Sequence, residues 1–167
     1  RRHRTGRLPD VVMTDAGSIR GDVSSAGFRA FRGIPYAAPP LGRLRWAPPA
    51  PVVPWSGILD AQSTKPSCMQ LQDVSPPMPR ETLSEDCLHL SVWTPAHISA
   101  SGQLLPVWCW VHGGSFHSGS SNESRLDGRW NAMRSEIIVV VPNYRLNVFG
   151  FLGSSALRSR DISSLAG

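Results

Sequence analysis

The sequence predicts an α/β chain holding the first part of a mostly parallel sheet, and three observations carry that expectation. Ile137 to Val141 reads Ile-Ile-Val-Val-Val, a continuous β-branched run of the kind found in strands covered on both faces. Leu88 to Trp93 and Leu105 to Val111 are two further strand candidates upstream of it. Gly113 to Arg134 is long enough for a loop and a short helix, so the last two strands read as joined by a right-handed crossover.

The elements before this sheet are shorter. Residues 1–10 hold Arg1, Arg2, Arg4 and Arg7 and are expected to be a disordered basic end. Val11-Val12-Met13, Ser18 to Val23 and Phe28 to Phe31 alternate roughly, with Gly17 and Gly27 between them, and predict a small antiparallel meander. Gly33 to Trp55 is dense in proline, which removes ladder donors and fixes φ, so an ordered surface loop is expected there. Ser67 to Asp86 is polar and contains Ser75-Pro76-Pro77, again a loop. After Val141 the chain runs only about 25 residues further, and Ser154 to Gly167 offers one weak helix at best. A parallel sheet needs both faces and both edges managed, so residues 1–167 read as one partial, incomplete domain.

Composition removes several classes. Seventeen Lys and Arg against twelve Asp and Glu leave +5, and outside the first seven residues the basic side chains are dispersed, so no nucleic-acid partner is expected. Fifteen Gly and fifteen Pro stay below the roughly 25–30% of low-complexity chains, while six Trp and five Phe argue against disorder. The absence of any run of about 18 apolar residues predicts no membrane-spanning helix. Three cysteines are too few for a disulfide scaffold, and none stands at zinc-ligand spacing with a histidine, so neither metal nor cofactor is expected. Nothing in the pattern sets an oligomeric state.

The sharpest chemical signal is Trp108-Cys109-Trp110-Val111-His112-Gly113-Gly114-Ser115-Phe116, an apolar strand running directly into His-Gly-Gly-Ser. Glycines at a strand end let backbone N–H groups turn outward and approach a ligand closely. In an ester hydrolase such amides form an oxyanion hole, and one donor is worth about 10²–10³ in rate. A His-Gly-Gly-Gly-type turn after the third strand is a feature of α/β-hydrolases. By itself the motif leaves a plain glycine turn equally open.

Its surroundings resemble one family. Phe31-Arg32-Gly33-Ile34-Pro35-Tyr36-Ala37-Ala38-Pro39-Pro40-Leu41-Gly42-Arg43-Leu44-Arg45-Trp46 resembles the N-terminal signature of type-B carboxylesterases, the carboxylesterase, cholinesterase and fungal lipase family. Ser84-Glu85-Asp86-Cys87-Leu88-His89-Leu90-Ser91-Val92-Trp93 resembles its Glu-Asp-Cys-Leu-Tyr-Leu-Asn-Val signature. Asn143-Tyr144-Arg145-Leu146-Asn147-Val148-Phe149-Gly150-Phe151-Leu152 resembles the segment after the next strand. With the glycine turn, four motifs stand in the family's order across residues 17 to 153.

The resemblance implies the N-terminal part of an α/β-hydrolase fold and a serine acyl-enzyme hydrolase of small-molecule carboxylic esters. Gly114 and Ser115 match the two oxyanion donors, with Gly113 preceding them; the family often has a third glycine where Ser115 stands. Cys68 and Cys87 match the disulfide of its first long surface loop, and Arg45 and Glu85 a structural salt bridge. Arg145 matches an arginine whose acidic partner lies further along the family chain, so it is expected to be unpaired or differently paired here. Met69 to Asp86 lacks the aromatic residue that receives the choline cation in cholinesterases, so a choline ester is not the expected substrate.

Asn122-Glu123-Ser124 is an N-glycosylation sequon, and with the disulfide it suggests the secretory pathway. Cys109 is expected to be a small core residue, and His112 and His117 loop residues supporting the turn. No Gly-x-Ser-x-Gly elbow occurs in the sequence; Gly113-Gly114-Ser115-Phe116-His117 ends in histidine. The chain alone is therefore expected to hydrolyse no ester above background, with nucleophile, acid and base all supplied from elsewhere. A non-catalytic adhesion or binding relative on the same fold is the alternative.

Overall fold

A computed structural model describes residues 9–71, 82–97 and 104–157. Residues 1–8 of the basic end and Ser75-Pro76-Pro77 lie outside the described residues. Among these residues, ten strands and two short helices follow one another in the order β1 (Val11–Thr14), β2 (Gly17–Arg20), β3 (Asp22–Val23), β4 (Phe28–Pro35), β5 (Ile58–Asp60), β6 (Ser67–Cys68), β7 (Leu83–Ser84), β8 (His89–Pro95), β9 (Val107–Cys109), α1 (Arg129–Ser135), β10 (Ile138–Pro142) and α2 (Asn147–Phe151).

The main sheet has the order β3-β4-β8-β10-β9. Its first three ladders are antiparallel, with Ala30 opposite Trp93 and Trp93 opposite Val139. The last, β10 against β9, is parallel, with Val139 opposite Trp108. The parallel part of the sheet thus begins at the crossover through α1, where the β-branched run lies.

The expected meander divides between two sheets. β1, β2 and β5 form a separate small sheet, while β3 and β4 join the main one. The cause is packing: Ile19 of β2 buries against Phe31 of β4 and Ala61, which stacks β2 over β4 instead of beside it. Because side chains alternate along a strand, Phe28 and Ala30 point to the opposite face. There they meet Trp93, Val139, Val141 and Ala132 of α1 in the main core. The Pro-dense stretch is ordered, as expected: it holds a single 3-10 turn at Gly42–Leu44 and is fastened by Tyr36 N–H donating to Leu88 O (3.1 Å) and Ala38 N–H to Ala50 O (3.0 Å).

Two sequence expectations change. Leu105 to Val111 shortens to the three residues of β9, all exposed, and Cys109 is an exposed thiol instead of a core residue. Among the described residues β9 is the outer strand and pairs with β10 alone, and Trp108 and Trp110 remain 42% and 43% exposed. In β10, Val139 and Val141 are buried while Ile138, Val140 and Pro142 are half-buried, so one face is closed and the other partly covered.

Candidate active site

The strand β9 delivers the chain into a turn whose shape is set by backbone chemistry. Trp110 N–H donates to Val140 O (2.8 Å), extending the ladder one step beyond β9. His112 is then buried, its ring stacked on Tyr144 at 4.4 Å between centroids. Tyr144 Oη donates to His112 O (2.9 Å), which fixes the peptide just before the glycines. Nδ1 of His112 lies 2.9 Å from Gly113 O; a carbonyl can only accept, so that contact requires the Nδ1–H tautomer. Burial pushes the His112 pKa down from its ordinary value and outweighs that bond, so the imidazole stays neutral near pH 7.

Gly114, Ser115 and Phe116 follow with φ of +117°, +52° and +64°, three consecutive residues in backbone regions that L side chains avoid. Only glycine fits the first: a Cβ on Gly114 would stand 2.0 Å from Ser118 O. The turn closes when the His117 and Ser118 amides both donate to Gly114 O, at 3.0 and 3.1 Å. Among the described residues, the Gly113, Gly114, Ser115 and Phe116 amides donate to no protein group. Gly113, Gly114 and Ser115 therefore form a tight strand-end turn whose three amides are all free, and His117 is an exposed member of the same loop.

Two side chains from other elements clamp this loop. Asn147, at the start of α2, gives its backbone N–H to Phe116 O (2.9 Å) and its Nδ2 to His117 O (2.9 Å). Gln70, two residues after Cys68, meets the Gly119 peptide with both ends of its amide. Beneath the loop lies a buried polar set. Ser67 Oγ and Ser120 Oγ share a hydrogen bond of 2.6 Å, and Asn143 Oδ1 accepts the Ser121 amide at 2.8 Å. Sequence reading missed Gln70, Asn147, Asn143 and Ser120 as supports. Asn143 did carry a signal, as a carboxamide immediately after the β-branched run and Pro142, where a buried polar group must find partners.

The remaining expected residues fall nearby. Cys68 and Cys87 form a disulfide packed with Ala37, Leu88 and Leu146. Arg45 and Glu85 make a paired contact, Nε to Oε2 and Nη2 to Oε1, each 2.5 Å. Arg145 donates Nη2 to Ala47 O (3.0 Å), while its Nη1 is buried with no hydrogen bond among the described residues. Asn122 Nδ2 donates to Lys65 O (2.8 Å) and Ser67 Oγ (3.2 Å). Glycan attachment consumes one of those N–H groups, so this geometry works against modification of the sequon. No group of three or more potential metal ligands occurs among the described residues.

The sequence pattern of the carboxylesterase family matches residues 9–161. The chain belongs to that family. It is 42% identical over 161 residues to an acetylcholinesterase of Bungarus fasciatus, covering 90% of this chain and 26% of that protein. To a cocaine esterase of Homo sapiens it is 39% identical over 158 residues, covering 86% and 28%. Among solved structures, a PNB esterase superposes with a TM-score of 0.78 at 40% identity, over 89% of this chain and 30% of the other. The chain thus spans between a quarter and a third of the length of these relatives, and its fold is the corresponding part of an α/β-hydrolase.

Proposed function

We propose that the whole protein carrying this chain hydrolyses small carboxylic esters through a serine acyl-enzyme, and that Gly114 and Ser115 supply two of its oxyanion donors. The observation that carries this reading is the run of free amides, Gly114 and Ser115 among them, on a turn closed by its own backbone. When a hydroxyl adds to an ester carbonyl, negative charge moves onto the oxygen. Two N–H groups left free on a turn already closed would stabilise that charge with little reorganisation, which is where backbone donors lower a barrier most. Gly113, which also precedes the donors, lets the chain leave the strand without a side chain over the site. Among candidate substrates, a neutral alcohol leaving group fits better than choline, because Met69 to Asp86 brings no aromatic face to a cation. The Cys68–Cys87 disulfide supports passage through an oxidising, secretory compartment.

The test is hydrolysis of p-nitrophenyl acetate by the whole protein, by its Gly114→Ala variant and by this chain alone. The whole protein should turn over. The variant should lose about 10²–10³ in kcat, since the added methyl displaces the turn against Ser118. The chain alone should match the uncatalysed rate. A folded whole protein without turnover would overturn the reading and favour a binding relative on the same fold.

A further inference from the structure

We propose that Gln70 is a positioning residue for the oxyanion turn and that it acts through Gly119; the proposal rests on the reading of residues 113–115 given above. Gln70 Nε2 donates to Gly119 O and the Gly119 amide donates to Gln70 Oε1, both at 2.9 Å. The side-chain amide thereby mimics a strand neighbour, pairing both backbone polar groups of one residue. The same Nε2 donates to Cys68 O (3.1 Å), which ties the pair to the disulfide-anchored segment.

Gly119 is the point where such a clamp has leverage. Its φ is +110°, and a Cβ there would stand 2.4 Å from His112 Nδ1, so its backbone lies directly against the imidazole. Gln70 holds Gly119, Gly119 backs the His112 ring, and the Nδ1 of that ring meets Gly113 O at the entry to the turn. Asn147 grips the middle of the loop independently. A run of positive-φ residues that includes Ser115 and Phe116 persists only where its surroundings over-determine it, and these two amides are what fix it from outside.

Of the common side chains, only a carboxamide sets a donor and an acceptor side by side on one planar terminal group at neutral pH, and Gln70 has the length that reaches Gly119. In Gln70→Ala both are lost. In Gln70→Glu the ionised carboxylate keeps the acceptor and loses the donor, and the donor returns when the acid is protonated. In the whole protein, Gln70→Ala should lower kcat by about 10- to 100-fold, with KM changed less than about twofold, because a misplaced donor weakens only the transition state. The activity of Gln70→Glu relative to wild type, taken pH by pH, should rise as pH falls through the titration of the introduced carboxyl. Amide hydrogen exchange over residues 112–119 should accelerate in Gln70→Ala, while exchange in β8 and β10 stays as in wild type. Unchanged kcat with unchanged exchange would overturn the proposal, as would a pH-independent ratio for Gln70→Glu in an active enzyme. If wild type proves inactive, faster exchange in Gln70→Ala supports the clamp and overturns only the esterase reading.

Discussion

Ser115 carries a side chain at φ +52°, a conformation that costs an L-residue about 1–2 kcal/mol relative to glycine. Ser115→Gly keeps the amide and removes that cost, while adding entropy to the unfolded chain. The net expectation is a gain of up to about 1 kcal/mol, read as a higher urea midpoint, with turnover of the whole protein within a few-fold of wild type. This residue was visible in the sequence because it departs from a pattern at a known place. Gln70 was not, because its role is defined by a partner 49 positions away and nothing local distinguishes it from any loop glutamine. The same holds for Asn122, whose sequon is readable while the burial of its amide against Lys65 and Ser67 is not.

At the level of elements, α1 is seven residues long and depends on its ends. Its start is held by Asp127, whose Oδ1 accepts the Arg129 amide at 3.0 Å and whose Oδ2 meets the Arg129 guanidinium at 2.5 Å. Burial would raise the Asp127 pKa, but its hydrogen bonds to Arg129 outweigh it and hold the carboxyl below its ordinary range. Asp127→Ala should lower stability by about 1 kcal/mol in equilibrium unfolding, and Asp127→Asn by less, since the amide oxygen still accepts from the backbone. Ile137 to Val141 announced its strand because burial made it uniformly β-branched. Trp108-Cys109-Trp110 looked equally buried, yet apolarity records what a strand is suited to touch, and β9 lies at the edge of its sheet. The separation of β1 and β2 from the main sheet was illegible for a related reason: alternation identifies strands, whereas the Ile19–Phe31 contact that stacks them spans two sheets.

Across the whole molecule, two histidines link stability to pH. Burial lowers the pKa of both His89 and His112, and each has a buried ring nitrogen with no hydrogen-bond partner among the described residues. A group with a depressed folded-state pKa binds protons more readily when unfolded. Its stabilisation is therefore complete above the unfolded value near 6.5 and is lost as pH falls from there to the folded value. The urea midpoint should decline below about pH 6.5, with a slope of at most about 1.4 kcal/mol per pH unit for each histidine, and His112→Gln should flatten the profile. The strand order carries a consequence of another kind, in the timing of synthesis. β4, β8 and β9 all leave the ribosome before β10, yet among the described residues β10 is the ladder partner of β9 and the second partner of β8. Roughly thirty residues separate β9 from the end of β10, and at about 5–20 residues per second they take some two to six seconds to make. For that interval Trp108 and Trp110 wait on an apolar strand without β10 beside it, so the nascent chain is open to wrong partners until β10 arrives.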